Sequence, residues 1–220
     1  MSATLLDLGR KEYGEVWELQ KQFVAARASD GIKDALILVE HERVITLGRK
    51  TTPENFKPQE VPVFQVERGG DATFHGPGQL VGYPIFKLVT PDVRRFVTQL
   101  EEVLIRTASD FGIDAARKEG HTGVWSGGKK LASIGVAVVN WTTFHGFALN
   151  VNNNLGDFRL IKPCGLDPEM MTSMERLAGR EFSMLQVKDK VVDNFSKVFN
   201  VRLEAKGLAD LKVAQIAGKA

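Results

Sequence analysis

The chain is expected to fold as α+β, with a mixed or largely antiparallel β-sheet core flanked by helices. Three observations carry that expectation. Two long stretches place apolar residues at helical spacing, and between them lie runs that alternate or are continuously apolar, as strands do. The order is helix, strands, helix, strands, helices, in place of the repeating βαβ units of a nucleotide-binding fold. With 220 residues, 43% of them hydrophobic, there is apolar material for one substantial core, so a single domain over 1–220 is expected.

The first helix is read from Tyr13, whose stripe continues at 16, 17, 20, 23 and 24 and closes with Arg27 and Ala28 before the Asp30-Gly31 turn. Ala35–Glu40 reads as a buried strand and Val44–Leu47 as its neighbour. Thr51–Val61, with prolines nearby, is a polar loop without periodicity. Val63–Arg68 alternates like a strand, and Leu80–Val89 reads as a second one. Pro84 in that second strand predicts an edge position or a bulge. Thr90-Pro91-Asp92 starts a helix whose stripe runs from 93 to 111 and stops at Gly112. Strands follow at Ile113–Arg117, Thr122–Trp125, Leu131–Asn140 and Thr143–Val151, with the turn Ser126–Lys130 between the second and third. Asn152–Asp157 is a loop and Ile161–Leu166 an extended turn. Thr172-x-x-Glu175 predicts a capping box for a short helix ending near Gly179, and Leu185–Phe199 carries another helical stripe. The tail from Leu203 is rich in Ala, Lys and Leu.

Charge and composition exclude several classes. Lys+Arg at 29 against Asp+Glu at 27 leaves a net charge of +2, with no basic block interleaved with aromatics, which argues against a dedicated nucleic-acid binder. No window approaches the length of a membrane span and the first ten residues do not resemble a leader, so a cytoplasmic protein is expected. One cysteine, Cys164, excludes an internal disulfide.

The stretch Arg68–Ile85 is unlike an ordinary connector. Glycines at 69, 70, 76, 78 and 82 permit close approach of main chain to a ligand, and Arg68, Thr73 and His75 add polar groups to the same turn. Cys164 lies in Lys162-Pro163-Cys164-Gly165, a turn that can present a thiol; a lone cysteine in an apolar run is instead an inert core residue. Its possible activators are His75, His121, His145 and the lysines of Gly127-Gly128-Lys129-Lys130, among which spacing alone does not choose. Lys130 enters a strand that reads as buried, so its amine can point inward, with Lys129 on the opposite side. The histidines lack metal-ligand spacing, and neither a phosphate-binding G-x-x-x-x-G-K-[ST] loop nor a G-x-S-x-G elbow occurs.

Arg68-Gly-Gly-Asp-Ala-Thr-Phe-His75-Gly-Pro-Gly-Gln-Leu-Val-Gly-Tyr-Pro84, Gly123-Val-Trp125, Lys130-Leu-Ala-Ser-Ile-Gly135, His145-Gly-Phe-Ala-Leu-Asn-Val-Asn152 and Pro163-Cys-Gly-Leu166 with Met171-Thr-Ser173 occur in that order. Together they resemble the lipoyl(octanoyl) transferases of lipoate biosynthesis, from about Tyr13 to Met174. The resemblance implies the fold of biotin and lipoate protein ligase catalytic domains. It implies transfer of octanoyl from octanoyl-acyl carrier protein to a lysine of lipoyl domains, in 2-oxoacid dehydrogenase E2 subunits and the H protein of glycine cleavage. It further implies Cys164 as the nucleophile that forms an acyl-thioester, and Lys130 as the group that lowers its pKa and moves protons. Arg68, Gly69, Gly70, Asp71, Ala72, Thr73, Phe74 and His75 would then line the acyl and carbonyl site with Ser133, Ile134, Gly135, Gly146, Phe147 and Ala148. His75 would face the reacting carbonyl, and the Gly165 N–H or those of the Arg68–His75 loop would be oxyanion donors. No cofactor or metal, no nucleic-acid or membrane partner, and a monomer are expected. One departure is Glu40-His41-Glu42-Arg43, where the family often has Glu-His-Pro-Pro. The alternatives are an ATP-dependent lipoate or biotin ligase, which needs no nucleophilic cysteine, and a catalytically silent module that holds acyl or carrier groups.

Overall fold

Residues 2–52, 61–162 and 167–211 are described by a computed structural model. In chain order the elements are β1 (Ser2–Lys11), α1 (Tyr13–Ala28), β2 (Ala35–His41), β3 (Val44–Leu47), β4 (Val63–Gln65), β5 (Thr73–His75), β6 (Gln79–Ile85) and α2 (Val93–Asp110). There follow β7 (Ala116–Lys118), β8 (His121–Ser126), β9 (Lys129–Val139), β10 (Thr142–Asn150), α3 (Met174–Ala178), α4 (Met184–Phe199) and β11 (Arg202–Ala205).

Eight strands form one mixed sheet in the order β11-β1-β2-β6-β10-β9-β8-β7. The β11-β1-β2 end is parallel and the remaining pairs are antiparallel. Both faces of its centre are covered, which is why β2 reads as a continuous apolar run. Leu36 and Leu38 face one core with Phe96, Leu100 and Leu104 of α2 and Val187, Val191 and Phe195 of α4. Ile37 and Val39 face the other, with Tyr13, Val16 and Phe23 of α1. A second sheet, β4-β3-β5, closes over a smaller cluster of Ile45, Phe74, Phe158, Ile161 and Met171.

The sequence-based expectations fail at identifiable points. Neither β1 nor β11 is expected. In β1 the alternation is interrupted by a bulge between Asp7 and Arg10, where Gly9 takes φ 64 and donates its N–H to Asp7 Oδ1 at 3.0 Å. With β1 present, β1-α1-β2 is one parallel βαβ unit. β3 is not a neighbour of β2; it pairs with β4 and β5 in the second sheet. The Arg68–Ile85 stretch is not one connection, because β5 lies inside it. β6 is central despite Pro84, lying between β2 and β10. The short helix is capped by Ser173, whose side chain accepts from Arg176 N, and not by Thr172. The loop expected over Thr51–Val61 lies largely outside the described residues.

Where the punctuation is strong it is honoured. Asp92 accepts from Arg95 N at 2.8 Å to cap α2, and Gly112 takes φ 75 just beyond its end. Asp92→Ala is expected to cost about 1 kcal/mol, read as a lower urea midpoint with an unchanged denaturant slope; an unchanged midpoint would show that the cap carries no stability here.

Candidate active site

The ladder between β6 and β10 is broken on purpose at Pro84, where no N–H is available. Regular pairing holds from Asn150↔Gln79 to Phe147↔Gly82 and then stops. Beyond the break the Thr143 hydroxyl donates to the Pro84 carbonyl at 2.7 Å and accepts from Phe86 N at 3.0 Å. In between, His145 of β10 takes φ 55, and its N–H turns to Gln20 Oε1 of α1 at 2.8 Å. The strands nevertheless approach closely at the edge of the break. A Cβ on Gly146 would lie 2.2 Å from the Gly82 carbonyl oxygen, and one on Gly82 would enter the Phe147 ring at the same distance.

A narrow cleft lies against this stretch of the sheet. Its walls are Arg68, Gly69, Gly70, Thr73 and His75 on one side and Ser133–Gly135 and His145–Ala148 on another, with Tyr13, Val81 and Tyr83. Many of these residues are polar, yet their tips are tied behind the wall. His41 Nε2 meets the Tyr83 hydroxyl at 2.8 Å while its Nδ1 meets the Lys11 carbonyl at 3.0 Å. His75 Nδ1 lies 2.8 Å from Gln79 Oε1 and its Nε2 3.4 Å from Thr46 Oγ1, while its ring stacks parallel to Tyr13. The Arg68 guanidinium donates to the carbonyls of Asp71 and Thr46 at 2.7 Å each and to Thr46 Oγ1 at 2.9 Å, which holds the glycine loop in shape. What remains for a ligand is mostly ring faces and backbone, a surface suited to an aliphatic chain. Burial pushes His41 down to about 4 and His75 to about 3, the latter helped by the neighbouring His41. His145 is lowered by burial too, an effect its hydrogen bond to Glu67 at 3.2 Å partly offsets.

A second cleft shares the Gly69-Gly70 and Ile134-Gly135 rim with the first and contains Lys130, together with Lys50, Asp71, Gly120, His121 and Thr122. Lys130 is only 5% exposed, whereas Lys129 is half-buried, as the strand alternation predicts. Its side chain crosses Gly123, where a Cβ would sit 2.9 Å from Lys130 Cε, and its Nζ is 5.7 Å from the centre of the Trp125 ring paired with it across β8 and β9. Glu101 of α2 steadies this corner by accepting the Gly123 N–H at 3.0 Å and Arg117 Nε at 3.1 Å. A buried amine therefore stands beside an apolar cleft, separated from it by a rim of backbone.

Residues 12–196 match the family model of the lipoyl protein ligase A/B catalytic domain. An octanoyltransferase of Caldicellulosiruptor bescii is 48% identical over 211 residues, covering 91% of this chain and 92% of that protein. One from Syntrophotalea carbinolica is 44% identical over 207 residues, covering 93% and 98%. The chain belongs to the octanoyltransferases of this family. The fold agrees: a lipoate-protein ligase A bound with ATP superposes with a TM-score of 0.80 over 100% of this chain and 94% of that one, at 17% identity.

Within this octanoyltransferase fold the residues expected at the site separate into three groups. Arg68, Gly69, Gly70, Thr73, His75, Ser133, Ile134, Gly135, Gly146, Phe147 and Ala148 line the apolar cleft, and Asp71 and Lys130 line its neighbour. Ala72 and Phe74 line neither; both are 0% exposed and belong to the cluster under the second sheet, where Phe74 packs edge-on against Phe158. Cys164 and Gly165 lie outside the described residues. His75 does line the cleft, but both ring nitrogens are engaged by Gln79 and Thr46, so it offers a face and not a nitrogen. Sequence reasoning missed Tyr13, counted only as part of a helical stripe, and His41, whose role depends on a partner 42 positions away. The departing Glu40–Arg43 segment has work of its own: Glu40 accepts the Gly78 N–H at 3.0 Å and Arg43 pairs with Asp157 at 2.6 Å.

The buried rings set a pH dependence. His41 and His75 stay neutral in the fold but take up protons below about 6.5 once unfolded, so the unfolded state binds more protons and stability falls as pH drops from there toward the folded values of about 4 and 3. Urea midpoints are expected to be lower at pH 5 than at pH 7.5, with imidazole nitrogen shifts of both rings still neutral at pH 5. Rings that titrate near their ordinary value in the folded protein would contradict this.

Proposed function

We propose that the chain moves an octanoyl group from octanoyl-acyl carrier protein to a lysine of a lipoyl domain by way of an acyl-thioester on Cys164. The single observation that carries the reading is the junction of two clefts. An apolar one, with its polar tips tied away, meets the cleft of the buried Lys130 across the Gly69-Gly70 and Ile134-Gly135 rim. Family membership points to the acyl group, and a mostly apolar cleft next to a buried amine supports putting its tail there.

In the first half-reaction Lys130 takes the proton of the Cys164 thiol, whose sulfur attacks the carrier thioester. The carbonyl bond to the carrier sulfur breaks, and that sulfur leaves with the proton returned by Lys130. In the second, the neutral amine of the acceptor lysine attacks the Cys164 thioester, an amide forms, and the amine's proton passes through Lys130 to the released Cys164 sulfur. The two thioesters are similar in energy and the amide is more stable, so no nucleotide is required. Two half-reactions on one cysteine give ping-pong kinetics. A cytoplasmic monomer acting on E2 subunits and the H protein of glycine cleavage completes the proposal. The ligase reading has less behind it, because the solved ligase is alike at 17% identity, in fold alone.

Mixing the protein with octanoyl carrier protein without ATP is expected to add one octanoyl increment to its intact mass. Cys164→Ser should gain no stable thioester, and Lys130→Met should slow acylation by roughly 10²–10⁴-fold, the usual worth of a positioned base. Modification of a lipoyl domain that needed ATP and survived Cys164→Ala would overturn the proposal in favour of a ligase.

A further inference from the structure

A buried polar chain runs behind the clefts from the glycine loop to Lys130. Gln79 accepts from His75 through Oε1 at 2.8 Å and donates through Nε2 to Asn150 Oδ1 at 2.9 Å. Asn150, 1% exposed at the end of β10, also accepts from Asn153 Nδ2 at 3.2 Å. Its own Nδ2 donates to the Thr172 carbonyl at 2.9 Å. Thr172 in turn donates its N–H to the Lys130 carbonyl at 3.0 Å, and Met171 bridges to Lys130 in parallel register. The Met171–Ser173 segment is thus laid against the start of β9 by two backbone contacts and held from behind by one side-chain amide. That segment follows Cys164 by few residues, and the span between includes a 3-10 turn at Pro168–Met170 capped by the Asp167 side chain.

We propose that Asn150 is a positioning residue for the transfer: its amide N–H clamps Thr172 onto the Lys130 backbone and so fixes the Lys130 amine relative to the chain that leads back to the nucleophile. The inference rests on the octanoyl-transfer reading for its chemistry, but the clamp itself is a matter of hydrogen bonds already described. No other side chain among the described residues holds the Thr172 carbonyl. An amide suits the position because it must accept from Gln79 and Asn153 while donating to Thr172. A displacement of about 1 Å at a reacting group costs on the order of 10²-fold in rate.

Full-length Asn150→Ala and Asn150→Asp are compared with Asn194→Ala, which removes another buried asparagine, bonded to Asp110 and Thr107 and lining neither cleft. Asn150→Ala is expected to acylate roughly 10- to 100-fold more slowly, with KM for octanoyl carrier protein nearly unchanged and with faster hydrogen exchange at the Thr172 amide. Asn194→Ala should lose stability and keep both the rate and that protection. Asn150→Asp keeps the acceptor but loses the donor when ionised; burial raises its carboxyl pKa, so its rate should fall with rising pH along a limb absent from the wild type. Wild-type protection at Thr172 in Asn150→Ala, or a rate no lower than that of Asn194→Ala, overturns the clamp. A wild type that gains no octanoyl group overturns the transfer reading instead, and the clamp is then decided by Thr172 exchange alone.

Discussion

The missing N–H of Pro84 is the constraint on which the site depends. A proline in the middle of a sheet leaves a neighbouring carbonyl without its donor and disturbs the ladder around it, and a buried polar group left unpaired costs about 1–3 kcal/mol. Here His145 takes a positive φ and turns its N–H to Gln20, and Thr143 bridges the gap with its hydroxyl. The cleft lies against this stretch of β6 and β10, where the face of the sheet meets the glycine loop at Arg68–Gly70. Glycines at 82 and 146 keep the strands together right beside the gap.

The second requirement is that polar residues make an apolar wall. Tyr83 and His75 bring rings to the cleft while their heteroatoms bond behind it, Tyr83 to His41, which is itself held by Lys11, and His75 to Gln79 and Thr46. Such a wall is rigid in a way that leucines would not be, since each ring is held by directional bonds as well as by packing. It also makes the cleft sensitive to acid, because protonating any of these rings breaks its pattern of donors and acceptors.

Much of the architecture was legible in the sequence. The long stripes of α2 and α4, the caps and glycine stops, and the strand alternation that turned Lys130 inward and Lys129 outward were all local signals. The failures were non-local. β1 is disguised by its bulge, β11 is defined only by its partner, and β3 has a composition that fits either sheet. Pro84 was read as an edge signal because a single strand cannot announce that its neighbour's N–H will find another partner, here Gln20 of α1. At the site, Phe74 and Ala72 share the glycine loop's sequence but not its direction, since β5 turns alternate residues toward another core. His41 was invisible as the support behind Tyr83 until the fold brought the two together.

The parallel pairing of β11 with Ser2–Leu5 of β1 has a consequence for how the chain is made. The outer edge of the first strand waits for the last one, on the order of 10–40 s at about 5–20 residues per second of synthesis. A bare strand edge is a template for another nascent chain. Even in the finished fold β11 covers only the first half of that edge, and the remainder carries Asp7, the Gly9 bulge, Arg10 and Lys11, with Asp7 paired to Lys188 at 2.8 Å. Charge and kink occupy the part that β11 leaves uncovered among the described residues, features that discourage pairing with another strand edge.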